Sequence, residues 1–297
     1  MAINMKNRVL LFFQVLCVLL YSCSDKEELI VIETPYGSMT AVLFDEAPLH
    51  KENFLKLTKN GDYDSVLFHR VIEDFMIQTG DLATGSSKEA VDYTLPAEFV
   101  PDKYIHQKGA LAAARVGDAR NPEKRSSGSQ FYIVDGTTFD DAGLDERAKR
   151  RAYLKLYGFF DRMLKSKRFP ELTEKYYYHV NKLEEDSTYD FYAAQEALIF
   201  QSLPVIEKEF GSQVDPGFED WAKEIYATTG GSPHLDGEYT VFGQVIDGLE
   251  VIDKIAALET DQADKPLNEV RMQVKVIKMS KDEISQTYNY KFANFVQ

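Results

Sequence analysis

Cysteine is almost missing from this chain. Its 297 residues include two, Cys17 and Cys23, both within the first 23 positions. Downstream of Cys23 no internal disulfide can brace the fold. Positive charge is scarce as well: 34 Lys and Arg stand against 48 Asp and Glu, a formal net charge of −14. With no basic cluster to contact phosphates, nucleic acid is excluded as a partner. The five histidines, at positions 50, 69, 106, 179 and 234, lack metal-ligand spacing, so neither a metal nor another cofactor is expected. Ser129 sits in Gly-Ser-Gln rather than G-x-S-x-G, and Gly230-Gly231 has no Walker context. The serine-hydrolase and P-loop readings fall away. Internal repeats and low-complexity tracts are also lacking.

The longest apolar run, Val9 to Leu20, is interrupted only by Gln14 and follows Lys6 and Arg8. It falls short of the about 20 residues that a membrane-spanning helix needs, but it suits a secretory h-region behind a positive n-region. It ends in Leu20-Tyr21-Ser22-Cys23, which resembles a bacterial lipobox with Cys23 as the lipid acceptor. Residues 1–23 are therefore expected to be a lipoprotein signal and 24–29 a polar tether. A lipid anchor on Cys23 would tie the chain to a membrane of the bacterial cell envelope, facing the periplasm or the cell surface.

What is present is a globular chain with two textures. A hydrophobic content of 44% suits a substantial core. Glu33–Phe44 reads as two strands around Pro35-Tyr36-Gly37, and Asp45-Glu46-Ala47-Pro48 opens a helix that Asn60-Gly61 ends. Short strands follow at 66–71, 75–78, 95–99, 110–114 and 130–134, a spacing that favours a barrel or sandwich. From about Thr137 to Thr228 the chain becomes charged and helical, with Ala152, Leu156, Phe159, Phe160 and Met163 at helical spacing. Strand texture returns at Tyr239–Val245, followed by a short helix at 249–258 and a strand at 270–279.

The stretch Phe68 to Asp81, F-H-R-V-I-E-D-F-M-I-Q-T-G-D, reads as a hairpin turning at Glu73-Asp74. Side chains alternate along strands, so Phe68 and Arg70 share a face, as do Met76 and Gln78. Folding the arms together would bring an Arg, a Gln and large apolar groups onto one surface.

This string resembles the signature of the cyclophilin-type peptidyl-prolyl isomerases. Further segments match in order: G-S-M-T-A-V-L-F from Gly37; G-D-Y-D from Gly61; G-A-L-A-A-A-R from Gly109 with S-G-S-Q-F-Y-I from Ser127; and L-D-G-E-Y-T-V-F-G from Leu235 with G-L-E-V-I-D-K-I from Gly248. Together they cover about half the chain. The resemblance implies a mainly β fold, a closed eight-stranded antiparallel barrel capped by two helices. The barrel would run through 30–134 and 231–280, an all-α subdomain would be inserted at 135–230, and 281–297 would be a C-terminal tail.

Position by position, the resemblance makes Arg70 the catalytic arginine, with Phe75 and Gln78 beside it. It assigns Met76, Ala114, Arg115, Gln130, Tyr132, His234, Leu235 and Tyr239 to substrate binding. Tyr132 stands where Phe is usual, and His234 where many members carry Trp, so any cyclosporin binding would be weak. The implied activity is isomerisation of X–Pro bonds in proline-containing clients, assisting the folding of exported proteins. A non-catalytic peptide-binding chaperone, using the groove and the insertion, is the alternative.

The chemistry fits those residue types. Amide resonance sets a barrier of about 18–20 kcal/mol, and uncatalysed X–Pro exchange takes tens to hundreds of seconds. No nucleophile is required, only a site that favours the twisted bond over both planar forms. As the bond twists, the proline nitrogen gains a lone pair that Arg70 can meet with a hydrogen bond. Phe75, Met76, Tyr132 and Leu235 would grip the ring, and Gln78 would hold the flanking chain. The insertion is either a client-binding arm or a subdomain whose aromatics serve its own core.

Overall fold

A strand can be buried on both faces only when both of its side-chain rows are apolar or satisfied. Ala110–Ala113 and Phe131–Val134 are buried at every residue, and Met76–Thr79 at every residue but Gln78. In the computed structural model, which describes residues 26–87, 90–211 and 217–292, these segments occupy the interior of a nine-stranded sheet. The strands are β1 (Lys26–Thr34), β2 (Gly37–Leu43), β3 (Val66–Leu67), β4 (Arg70–Ile72), β5 (Met76–Thr79), β6 (Thr94–Leu95), β7 (Ala110–Ala113), β8 (Ser126–Ser127), β9 (Phe131–Val134), β10 (Val241–Asp247) and β11 (Arg271–Ser280). The large sheet has the order β3-β11-β1-β2-β10-β7-β9-β5-β4, and β6 pairs with β8 apart from it.

This linear nine-stranded order corrects the expected closed eight-stranded barrel. The difference arises at Phe68 and His69, where the chain changes partners. The Phe68 N–H donates to the Val270 carbonyl at 2.9 Å, and the His69 N–H donates to the Gln78 carbonyl at 3.1 Å. So β3 pairs with β11 and β4 pairs with β5, and two strands consecutive in sequence end the sheet at opposite edges.

The signal segment, the lipobox and Cys23 lie outside the described residues. The expected tether is also corrected: Lys26–Leu29 already belongs to β1, with Lys26 opposite Ser280 and Leu29 opposite Ile277. The chain forms two units, one of residues up to Thr137 and from Leu235 onward, the other Thr138–His234.

In the β unit, alternation divides the core. Ile77, Leu111, Phe131 and Ile133 join Phe54, Phe242 and Ile252 on one side. Met76, Ala112, Tyr132 and Val134 join Leu235 and Val241 on the other. Two helices cover the first cluster: α1 (Pro48–Lys59), burying Phe54, Leu55 and Leu57, and Leu249–Ala256, burying Val251, Ile252 and Ile255. The second helix starts at Gly248, with φ of +83°, where a Cβ would lie 2.2 Å from the Ser38 carbonyl oxygen. Only glycine fits there. Of the expected tail, residues 281–292 carry structure of their own. Lys281–Tyr288 is a helix with a Ser280/Glu283 capping box, and Tyr288, Tyr290 and Phe292 pack against the second cluster.

The helical unit contains Asp141–Lys165, Pro170–Glu185, Phe191–Gln201, Leu203–Phe210 and Asp220–Thr228. It has a core of its own in Leu156, Phe160, Met163, Leu198, Ile199 and Ile206. Asp140 and Asp190 cap two of its helices through the N–H groups of Gly143 and Ala193. Among the described residues of the whole chain, no helix is long and apolar enough to cross a membrane.

The start of α1 depends on a distant residue. Ala47 offers no capping side chain, and Pro48 takes the first turn. The Glu98 carboxylate accepts from the Leu49 and His50 N–H groups, each at 3.1 Å, and lies 2.6 Å from His50 Nδ1. Glu98→Ala is expected to lower the unfolding free energy by about 1–3 kcal/mol in urea titration. Burial holds His50 below its ordinary 6.5, outweighing the opposing pull of Glu98. The folded state then binds fewer protons than the unfolded chain below that pH, so stability is full above about 6.5 and declines beneath it. Thermal unfolding from about pH 7.5 to about pH 5 should show this decline, and His50→Gln should flatten it.

Candidate active site

The β4–β5 hairpin sets Arg70 directly opposite Gln78, Val71 opposite Ile77, and Ile72 opposite Met76. Glu73, Asp74 and Phe75 make the turn. Asp74 takes φ of +61°, a left-handed conformation that its short polar side chain tolerates. Its N–H donates to Asp135 Oδ2 at 2.9 Å, and the Phe75 carbonyl accepts from the Asp135 and Gly136 N–H groups at 3.0 and 3.1 Å. Lys108 Nζ in turn holds Asp135 Oδ1 at 2.6 Å. The turn carrying Phe75 is thus clamped from the end of β9.

Across the sheet the register builds a row. Arg70 on β4 faces Gln78 on β5, Gln78 faces Tyr132 on β9, and Tyr132 faces Ala112 on β7. Gln78 Nε2 donates to Gln130 Oε1 at 3.3 Å, and the Ala114 N–H donates to the Gln130 carbonyl at 3.0 Å. Gly80, at φ of +86°, lets β5 end against this corner, since a Cβ there would lie 2.3 Å from the Ser129 carbonyl oxygen. Met76, Tyr132 and Leu235 are buried in one cluster, with Phe75 and Tyr239 half-buried at its margin.

Arg70 is the exposed charge of the row, its side chain 42% accessible. Its Nε donates to Asp264 Oδ2 at 3.2 Å. No hydrogen bond engages its Nη1 or Nη2 among the described residues. Next to it, burial holds His69 below the ordinary histidine value, the nearby Asp81 pulling the other way.

The Tyr132 hydroxyl is buried and has no hydrogen-bond partner among the described residues. Its ring stacks on His106 at 6.1 Å and meets the edge of Tyr239 at 5.9 Å. Burial pushes this phenol well above its ordinary value, and Tyr239 adds to the shift.

Two expected residues remain, Arg115 and His234. Arg115 is committed to the protein: its Nη1 pairs with Asp118 Oδ1 at 2.5 Å, its Nε with the Glu238 carbonyl at 2.9 Å, and its guanidinium lies 4.4 Å over the Tyr239 ring. Its side chain is 4% exposed. His234 is the last residue of the helical unit and is exposed in the short turn Pro233–Leu235.

The sequence profile described as cyclophilin type peptidyl-prolyl cis-trans isomerase/CLD matches residues 29–152 and 222–276. A Staphylococcus haemolyticus protein named "Putative peptidyl-prolyl cis-trans isomerase" is 31% identical over 249 residues, covering 83% of this chain and 89% of that one. The chain belongs to the cyclophilin-type peptidyl-prolyl cis-trans isomerases. A Streptococcus pyogenes relative, named "Putative bifunctional phosphatase/peptidyl-prolyl cis-trans isomerase", is 29% identical over 81% of this chain, which spans 37% of that protein's length. A crystal structure of a Cryptosporidium parvum cyclophilin type isomerase aligns at a TM-score of 0.47 with 20% identity, covering 85% of this chain and 98% of that one.

Two polar residues of this isomerase escaped the sequence reading. Asp135 anchors the turn, and Asp264 meets Arg70; neither lies in a segment that spacing singles out. The orphan hydroxyl generates one prediction. Removing an unpaired buried hydroxyl relieves its desolvation cost, so Tyr132→Phe should raise stability by about 1 kcal/mol in denaturant titration. Gly80→Ala should do the opposite, lowering stability by about 2 kcal/mol or more and weakening peptide binding as Gln130 shifts.

Proposed function

We propose that this chain accelerates cis–trans interconversion of X–Pro bonds in proline-containing polypeptides, with Arg70 as the catalytic donor. The observation that carries this reading is the row Arg70–Gln78–Tyr132, in which a guanidinium with two uncommitted nitrogens stands beside a buried apolar cluster. Met76, Phe75, Tyr132 and Leu235 hold the proline ring, while Gln78 and Gln130 meet the backbone flanking it. As the amide twists, the proline nitrogen turns pyramidal, and an Arg70 N–H donates to its new lone pair. That bond exists only in the twisted state, so it lowers the barrier without tightening ground-state binding. A guanidinium suits the task because it stays charged and presents donors in a fixed plane.

The lipobox ending at Cys23 supports a lipid-anchored enzyme of the cell envelope whose clients are exported proteins. His234 in place of the usual Trp supports weak cyclosporin binding at most. The core of Leu156, Phe160 and Ile199 favours a self-supporting insertion over a client arm built from the same aromatics.

A protease-free exchange assay on an X–Pro peptide tests the reading. Arg70→Ala should lower kcat/KM by about 100-fold, as expected for loss of one charged donor worth about 2.7 kcal/mol at the transition state, with the melting temperature little changed. A wild-type chain that binds the peptide yet leaves its exchange rate unaltered would make it a peptide-binding module instead.

A further inference from the structure

Asp264 and Arg70 are 194 positions apart in sequence and share one ion pair, Nε to Oδ2 at 3.2 Å. Both side chains are open to solvent, 42% and 43% accessible, and such pairs contribute little to stability. The loop presenting Asp264 is nevertheless tightly built. Asp261 Oδ1 accepts from the Ala263 and Lys265 N–H groups at 2.8 and 3.0 Å, and the Asp261 N–H donates to the Lys265 carbonyl at 2.8 Å. Thr260 and Pro266 bridge across its base. Asp264 itself takes φ of +60°, a region most side chains avoid. Its N–H donates to the Asp261 carbonyl at 3.1 Å, and its own carbonyl accepts from the Val71 N–H at 2.7 Å. The backbone of Asp264 is therefore fixed to β4 one residue beyond Arg70, and its carboxylate engages the Nε of that arginine.

We infer that Asp264 is a positioning residue for the isomerisation: it fixes the Arg70 guanidinium by the Nε edge and leaves Nη1 and Nη2 for the twisting amide. This rests on Arg70 being the catalytic donor. An arginine side chain has several freely rotating bonds, and freezing them before substrate arrives removes an ordering cost from the transition state. A carboxylate on Nε is well suited to this, because charge-assisted bonds to guanidinium are strong and directional. Nothing in the pair is consumed or transferred.

The test uses the full chain and the same exchange assay. Asp264→Gly keeps the positive φ and removes the carboxylate. It should lower kcat roughly tenfold with KM little changed, at an unaltered melting temperature. Asp264→Asn, which retains an acceptor oxygen for Nε, should keep most of the activity. In an Arg70→Ala background Asp264→Gly should have no further effect, a non-additivity that a merely structural role would not produce. An Asp264→Gly chain with unchanged or raised kcat, or one losing the same factor in both backgrounds, would overturn the inference while leaving Arg70 in place. An Arg70→Ala chain as active as wild type would overturn both.

Discussion

Seven residues, Val66 to Ile72, must pair with two different strands of the sheet. The first part pairs with β11 and the second with β5, and the exchange takes place within Phe68 and His69. This handover fixes what reaches Arg70. On one side stands Gln78, leading across the sheet to Tyr132 and Ala112; on the other, the Val71 N–H is already claimed by Asp264. A slip of one residue in β4 would turn Arg70 to the opposite face and put Val71 in its place. The clamps on the turn, Asp135 on Asp74 and Lys108 on Asp135, hold that register where a short hairpin alone would be weakly specified.

What the sequence could disclose follows from which constraints are local. Period-two alternation around an acidic turn is local, so the facing of Arg70 and Gln78 was readable from Phe68 to Asp81 alone. The helical texture of 137–228 was readable for the same reason. Glu98 and Asp264 were not, because each is a lone carboxylate whose meaning depends on a partner far along the chain: 48 positions from His50 and 194 from Arg70. Arg115 shows the converse. A resemblance can place a residue in a groove wall, but it cannot say that Asp118, Glu238 and Tyr239 already occupy its guanidinium. The count of strands failed for a related reason, since a mid-segment change of partner leaves no mark on apolar periodicity.

The helical unit illustrates how a large insertion can be carried at small cost. Closing a longer loop adds an entropic term that grows only with the logarithm of its length. Residues from Thr138 to His234 also recover burial of their own, through Phe160, Met163, Ile199 and Ile206, and cap their helices with Asp140 and Asp190. Its stability therefore does not have to be drawn from the sheet.

The sheet can fix backbone positions finely, since β7 and β9 are buried at every residue and β5 at all but Gln78, and dense interiors resist displacement. That rigidity reaches only as far as the Cβ atoms. Met76, Tyr132 and Leu235 are held further out because they are buried in one packed cluster. Arg70 is held less: it stands on the edge strand with its side chain 42% accessible. The proposed donation from Arg70 to a transient lone pair requires that last group to be ordered as well as the rest. Asp264, on the loop from Thr260 to Pro266, makes the ion pair that can supply such order from outside the sheet.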